Sequence, residues 1–265
     1  MCATGGLCVC ARVVVTMDRD AVWRLVSLIH MHPSSVVAHP RTTTVPASNA
    51  SGRRPVLYHG TIDCEWSSAF YHPFAFCAVV GDPETTLVYG MFHAFVYESI
   101  RSDADDSATL QDSPAYRWWH GTDMPDTEET RERRELYTVM HRSAQEWRYT
   151  RAAFGAWAQH MGMHTGEVRW GGRCARDLWG LHAAIGAVDG KESLGYDTYR
   201  YYDFGQSARE QLSTQPAYAA TVAKYTPPAP PHNIVHHPVY DAVNEWYAYC
   251  AHYNAMRELG VCVNQ

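Results

Sequence analysis

The sequence predicts an α+β fold, a mostly helical single domain built around a small β-sheet. Apolar residues make up 46% of the 265-residue chain and charged residues 19%, a balance typical of a globular protein. Short apolar runs from Val56 onward are strand-like, and several longer segments repeat apolar residues at helical spacing. A chain of this length can bury a substantial core and suits one large domain with additional segments at both ends.

The first 53 residues are predicted to form a helix and a linker. Apolar side chains from Val22 to Ile29 recur at helix-like spacing within residues 21–31. The stretch that follows, as far as residue 53, is rich in Ser, Thr and Pro, which indicates an exposed linker. We therefore expect an N-terminal segment over residues 1–53 and a main globular domain over residues 54–225.

Three strand-like segments open the main domain. They are "VLYHGT", "FAFCAVV" and "TTLVYGMFHAFVYESI", and the third is predicted to change from strand to helix near Phe92. The intervening "GDPE" predicts a turn, because Gly and Pro supply the required backbone angles. The acidic "SDADDSATLQDSP" that follows predicts a solvated loop.

A single long helix is predicted from about Thr127 to Met161. Its apolar residues recur three, four or seven positions apart, and Glu128 and Glu129 place negative charge on its first turn. The following stretch, residues 164–205, is glycine-rich and is predicted to consist mostly of loops.

Residues 226–265 are predicted to form a separate C-terminal segment. The prolines of "TPPAPP" predict a stiff spacer, and a helix is expected from Val239 to Leu259. A helix behind such a spacer docks either on its own domain or on another protein. A protein partner bound through this helix is therefore one of the expected partners.

Charge and cysteine content narrow the functional classes. The net charge of −6 and pI near 6.2 argue against electrostatic binding of nucleic acid by the whole molecule. The eight cysteines form no repeated C-x-x-C pattern, so we expect reduced thiols, no zinc site and an intracellular location. The start lacks a basic segment before its apolar stretch, but acidic residues are absent before Asp18, so mitochondrial import stays open. No stretch is long and apolar enough to span a bilayer, and we expect no membrane association.

The fifteen histidines are candidate metal ligands, and Cys64 is a candidate nucleophile. His160 with His164 and His232 with His236 have the i, i+4 spacing of metal ligands, but neither pair has the carboxylate that a helical zinc motif requires. We therefore expect surface histidines, no metal and no cofactor. Cys64 is predicted to begin a helix, where a thiolate would be stabilised, although a structural cysteine is the simpler expectation.

The stretch "YHGT", residues 58 to 61, resembles the first motif of ADP-ribosyltransferases of the diphtheria-toxin and polymerase type. In those enzymes a histidine at a strand end binds the ribose of NAD, and His59 would have that role here. Those enzymes also have a tyrosine on a second strand, to which Tyr89 would correspond. They usually have a glutamate late in the chain, for which this sequence has no identifiable counterpart. An NAD-dependent transferase is therefore one alternative.

A second resemblance covers about residues 56–200 and rests on the order of several motifs. A strand ending in Tyr58 is followed by "WSSAF", a glycine-aspartate turn, "MFHAFVY", the long helix, "TGEVRW", "RDLWG" and "GKESLGY". This order is similar to that of the NADAR family of N-glycosidases, named for NAD and ADP-ribose. The resemblance implies a helix opening at "MFHAFVY" and a loop at "TGEVRW".

The NADAR resemblance also implies a ligand and a set of site residues. The ligand would be an ADP-ribose or phosphoribosyl compound, or an ADP-ribosylated base, and the reaction would be hydrolysis of its N-glycosidic bond. The implied catalytic residues are Asp177, His93 and Glu98. The implied ligand-binding residues are Tyr58, His59, Trp66, Ser68, Trp179, Gly180 and Lys191.

The sequence departs from the NADAR pattern at the position of its usual acid. Phe92 stands where the family has an acidic residue, Ala69 where it has Asn, and Glu192 and Ser193 where it has Asn and Arg. Cleavage of a C–N glycosidic bond needs a carboxylate to stabilise positive charge or activate water. Asp177, Glu98 or Glu167 would supply that group; otherwise the protein binds the ligand without hydrolysing it, or serves as a non-catalytic subunit of a larger assembly.

Overall fold

The computed structural model describes residues 17–31, 36–39, 57–66, 73–97, 113–122, 124–161, 163, 167–173, 177, 180–181, 199–228 and 236–261. These residues form a mixed α+β single domain, as the sequence predicts. The helices are α1 (Arg19–Met31), α2 (Pro114–His120), α3 (Glu128–Arg142), α4 (Trp147–Met161), α5 (Phe204–Thr214), α6 (Tyr218–Tyr225) and α7 (Pro238–Glu258). The strands are β1 (Val36–His39), β2 (Leu57–Glu65), β3 (Ala75–Asp82), β4 (Leu87–Phe95), β5 (Glu167–Gly172) and β6 (Tyr199–Asp203).

The six strands form one sheet in the order β1-β4-β3-β2-β5-β6. The first four strands in this order pair antiparallel, whereas β2, β5 and β6 run parallel to one another. The carboxyl ends of these three parallel strands therefore meet at one edge of the sheet. In open α/β sheets, ligands bind outside such ends.

Side-chain alternation along β2 separates the two faces of the sheet. Ile62 and Cys64 point into the core against α4, together with Phe76, Phe92 and Trp157. The opposite face packs against α7 and α1, whose buried residues include Trp246 and Val22. The third core cluster, around Trp119, joins α2 and α3 to the end of the sheet.

Helix α7 lies close to the sheet because glycines face it. A Cβ atom at Gly171 would stand 2.6 Å from Cδ2 of Tyr249, and one at Gly81 would stand 2.6 Å from Cζ2 of Trp246. The helix is buried around most of its circumference, and only Arg257 and Glu258 are fully exposed. The predicted C-terminal helix is thus part of the main core, where it packs with α1.

Two helix predictions are wrong. The segment around Phe92 and His93 belongs to strand β4 and does not turn helical, so the helix implied at "MFHAFVY" is absent. The predicted long helix is two helices, α3 and α4, because the backbone of Gln145 between them pairs with the end of β4. The Gln145 amide donates to the carbonyl of Phe95, and the Gln145 carbonyl accepts from the amide of Tyr97.

Several expected loops are strands. "TGEVRW" contributes β5, residues 199–203 form β6, and residues 36–39 of the predicted linker form edge strand β1. Cys64 lies inside β2 and does not begin a helix. The turn at "GDPE", the early strands and α1 are confirmed. Of the predicted acidic loop, residues 102–112 lie outside the described residues, and Pro114 at its end begins α2. None of the described helices combines the length and low polarity needed to cross a membrane.

Candidate active site

A pocket of about 450 Å³ opens at the carboxyl ends of the parallel strands. Strand β2 contributes Asp63 and Glu65, which alternation places on the face toward α7. Helix α7 contributes Asp241 and Glu245, one turn apart and facing the strand. The complete lining is Asp63, Cys64, Glu65, Trp66, Ala115, Trp118, Trp119, Arg173, Asp177, His236, Asp241, Asn244 and Glu245.

Asp177 lies in this carboxylate pocket and is held by strand β2. The backbone amide of Cys64 donates to Oδ1 of Asp177 across 3.2 Å, and the Cys64 thiol approaches the Asp177 carbonyl at 3.9 Å. A carboxylate oxygen of Asp177 lies within 4.8 Å of one from Asp63 and one from Glu245. Three carboxyl groups thus converge at one end of the pocket.

Burial of these carboxyl groups changes their protonation. It raises the pKa of Glu245 to about 8, with a further contribution from the charge of Asp177. It raises the pKa of Glu65 to about 7, although the nearby His236 opposes this effect. Burial, followed by repulsion from Glu65, raises the pKa of Asp63 well above its usual range. The pocket therefore holds protons at neutral pH that solvent-exposed carboxyl groups would release.

Aromatic rings form the other wall of the carboxylate pocket. Trp118 and Trp119 come from α2, and Trp66 follows β2 directly. Trp66 and Trp119 are almost fully buried. They therefore form the base of this wall, and the partly exposed Trp118 is the ring that an entering heterocyclic base would contact.

A second pocket, of about 690 Å³, lies beside the first between α1, α5, α6 and α7. Its lining combines the guanidinium groups of Arg19, Arg173 and Arg209 with the rings of Trp23 and Phe204. Arg173 packs over the Phe204 ring at 5.6 Å from its centre. We call this the arginine pocket, because three cations give it the opposite charge from its neighbour.

Arg173 and Asn244 line both pockets. Arg173 directly follows β5, and Asn244 lies on α7 next to Glu245. The two pockets are therefore adjacent at Arg173. The carboxylate pocket, with its acidic and aromatic residues, lies on one side of Arg173, and the arginine pocket lies on the other.

A buried polar network forms one wall of the arginine pocket. The two ring nitrogens of His252 lie 2.6 Å from the hydroxyl of Tyr218 and 2.9 Å from that of Tyr202, which donates in turn to Ser207. Burial lowers the pKa of His252 to about 4, so its ring is neutral at pH 7. The network fixes α6 against α7 and thereby shapes this wall.

The structure brings three of the sequence-predicted site residues together. Asp177 and Trp66 line the carboxylate pocket, and Gly180 packs against the Cys64 side chain, where a Cβ would collide with Sγ. Ser68, Glu98, Trp179 and Lys191 lie outside the described residues. Glu167 begins β5.

Three other predicted residues are buried away from the two pockets. Tyr58 donates to the carbonyl of Met161 across 2.9 Å, on the α4 side of the sheet. The Nδ1 atom of His59 lies 2.7 Å from the Tyr249 hydroxyl beneath α7, and burial lowers the pKa of His59 to about 4. His93 is 1% exposed within β4, with its ring 5.7 Å from that of Phe95. None of these side chains lines either pocket.

Cys64 does not have the properties of a nucleophile. Burial and the neighbouring Asp177 raise the pKa of its thiol well above the usual value, so the thiolate is disfavoured. The helix start predicted at Cys64 is wrong, and the alternative of a stabilised thiolate fails with it, because the residue lies inside a strand next to carboxylates.

Sequence reasoning missed Asp63, Glu65, Arg173, Asp241 and Glu245. Two signals were available: the polar-apolar alternation of "TIDCE" and the i, i+4 pair of acids on the otherwise apolar helix α7. Neither signal identifies the other as its spatial neighbour, because the pairing of β2 with α7 joins positions about 180 residues apart.

Comparison with models of known protein families finds no match for this chain, and comparison with curated proteins finds none either. The resemblance to the NADAR family consequently rests on its motif order alone.

Proposed function

We propose that the protein binds a nucleotide-like ligand containing a phosphoribosyl group and hydrolyses its N-glycosidic bond. The observation that carries this proposal is the junction of the two pockets at Arg173 and Asn244. The phosphoribosyl part of such a compound has the matching layout, with phosphate on one side of the ribose and the glycosidic bond on the other; in an ADP-ribosyl compound the adenosine extends beyond the phosphates.

The arginine pocket supports the phosphate end of the proposal. Guanidinium groups form paired, charge-assisted hydrogen bonds with phosphate oxygens. No ion pair within 4.0 Å joins Arg173 or Arg209 to a carboxylate among the described residues, although the charge of Arg173 acts on the nearby Glu245 and Asp241. The Trp23 and Phe204 rings would cover the apolar faces of the ligand's other groups.

The carboxylate pocket supports the chemical step. Loss of a base from a ribosyl carbon produces a cation-like transition state, which nearby carboxylates stabilise. In the proposed step, water forms a bond to the anomeric carbon and gives a proton to Asp177. Glu245 protonates the leaving nitrogen as the C–N bond breaks, and the products are free base and a ribose bearing a hydroxyl group.

The roles of the two carboxyl groups follow from their surroundings. Asp177 accepts a hydrogen bond from the Cys64 amide, which fixes the orientation of its carboxyl group and suits it to the role of the base. Glu245, with a pKa of about 8, carries a proton at pH 7 and suits a general acid. The partly exposed Trp118 would contact the leaving base, and the buried Trp66 and Trp119 would support that wall.

The test is release of free ADP-ribose or ribose phosphate from ADP-ribosylated guanine or a pyrimidine nucleotide precursor, followed by chromatography. Asp177→Ala should abolish release, whereas the exposed acid variant Asp126→Asn should leave it unchanged. Equal turnover by wild type and Asp177→Ala would overturn the assignment, and no turnover of any such glycoside would leave only the binding role.

A further inference from the structure

A histidine and two carboxylates meet at the mouth of the carboxylate pocket. Glu65 lies at the end of β2, Asp241 lies in the first turn of α7, and His236 lies two residues before that helix begins. One potential ligand atom from each of the three lies within 4.8 Å of the others. We propose that Glu65, His236 and Asp241 bind a divalent transition-metal cation, with Zn²⁺ and Mn²⁺ as the best-matched ions.

The donor set selects this class of cation. Imidazole nitrogen suits Zn²⁺ and carboxylate oxygen suits Mn²⁺, whereas Mg²⁺ and Ca²⁺ prefer oxygen ligands alone. Bonds of about 2.0–2.2 Å place the ligands of one such ion about 3–4 Å apart. Small rotations of the three side chains are sufficient, because Nδ1 of His236 already lies 3.7 Å from Oε1 of Glu65.

The charge around the three residues favours a cation. Oδ2 of Asp63 and Oε2 of Glu245 are buried and have no hydrogen-bond partner among the described residues. Together with Asp177 they form a second carboxylate group in the same pocket. A buried carboxyl oxygen without a partner is costly, and a divalent ion bound nearby would give these oxygens a favourable electrostatic contact.

The site also leaves coordination positions open. Three protein ligands with further positions for water or substrate are typical of catalytic metal sites, whereas structural sites are closed by four protein ligands. The side chain of His236 is 47% exposed toward the pocket mouth, and its ring meets the edge of Trp118 at 4.5 Å between centres. A bound cation would therefore contact both solvent and any ligand that enters the pocket.

The catalytic role of the metal site rests on the proposed hydrolysis, in which a cation there would orient the attacking water. The existence of the site can be measured without any nucleotide. Failure of metal binding and failure of glycosidic hydrolysis are therefore separate results.

The experiment uses the full-length chain, freed of metal with a chelator and titrated with Mn²⁺ while free Mn²⁺ is followed by electron paramagnetic resonance. A parallel titration uses Zn²⁺ and calorimetry. We expect one saturable site, with affinity lowered at least about 100-fold in His236→Ala and in Glu65→Gln. His160→Ala, which removes an exposed histidine on α4, is the matched control and should bind as wild type does.

Circular dichroism and thermal melting check that each variant is folded. Asp241→Asn, which keeps the side-chain shape, provides a third test if Glu65→Gln is unstable. Absence of saturable binding by the wild-type chain would overturn the proposal. So would unchanged affinity in folded His236→Ala and Asp241→Asn, which would assign the bound metal to other residues.

Discussion

The backbone amide of Cys64 donates a hydrogen bond to Oδ1 of Asp177 across 3.2 Å, linking two residues 113 positions apart in the chain. The bond ties the segment after β5 to the end of β2. Gly180 completes the contact, because its lack of a side chain lets the backbone pack against Cys64. The position of the Asp177 carboxylate thus depends on the backbone amide of Cys64 and on the lack of a side chain at Gly180.

Gly180→Ala should destabilise the protein, because the added Cβ collides with the Sγ atom of Cys64. Overpacking of this kind costs about 1–3 kcal/mol. Cys64→Ala removes the colliding sulfur, so the double variant should lose less stability than the sum of the two single variants. Urea unfolding of all four proteins measures this coupling, and strictly additive losses would contradict the described contact.

Glu245→Gln should change how stability depends on pH. The folded-state pKa of about 8 lies above the ordinary value of 4.5, so the folded protein retains a proton that the unfolded chain loses. The stability contributed by this group is present below about pH 4.5 and is lost as the pH rises toward 8. The variant stays neutral, so it should exceed wild type in stability at pH 8 by on the order of 2 kcal/mol.

The advantage of Glu245→Gln should shrink toward pH 5, and thermal unfolding between pH 5 and 8 measures it. Glu84→Gln, at an exposed ion pair with Arg257, is the control and should show no such trend. An advantage that grows toward acid pH would contradict the raised pKa.

His252→Gln should change the pH dependence of stability in the opposite direction from Glu245→Gln, with its effect at acid rather than alkaline pH. Burial lowers the pKa of His252 to about 4, so the folded protein keeps the ring neutral while the unfolded chain binds a proton below pH 6.5. Its stabilising effect is complete above pH 6.5 and is lost as the pH falls toward 4. The variant has no group to protonate there, so acidification should destabilise it less than wild type, by on the order of 2 kcal/mol.

Chemical denaturation at pH 7 and at pH 4.5 measures the effect of His252. The exposed His141 provides the control, since His141→Gln should follow the wild-type pH dependence. Identical acid sensitivity in His252→Gln and wild type would contradict the neutral, buried state of the ring.

Local sequence patterns predicted much of the fold. The apolar runs of β2 and β3 and the spacing of α1 and α7 are properties of neighbouring residues, and these elements are present where expected. The break between α3 and α4 was not predictable, because it depends on Gln145 pairing with Phe95 and Tyr97 in the sheet. Only the part of β4 from Phe92 onward was misassigned, because "MFHAFVY" is mostly apolar and periodicity does not separate a buried strand from a helix.

The candidate site was less predictable than the fold. Asp177 and Trp66 were found through motif order, whereas Glu245 and Arg173 act only through neighbours supplied by distant segments. His236 was considered with His232 as a helical metal pair, but its partners in the structure are Glu65 and Asp241. Glu65 is about 170 residues from the other two proposed ligands in the chain, so the set became visible only in three dimensions.

The most direct test of the joined-pocket proposal is thermal unfolding with increasing ADP-ribose, using wild type, Arg173→Ala and the exposed-arginine control Arg142→Ala. Ligand binding stabilises a protein by RT ln(1 + [L]/Kd), which is about 2.7 kcal/mol at 100-fold excess over Kd. We expect the melting temperature of wild type and Arg142→Ala to rise by several degrees at millimolar ADP-ribose, with little or no rise in Arg173→Ala. No rise in the wild-type protein at millimolar ligand, or an equal rise in Arg173→Ala, would contradict a phosphoribosyl site at the junction of the two pockets.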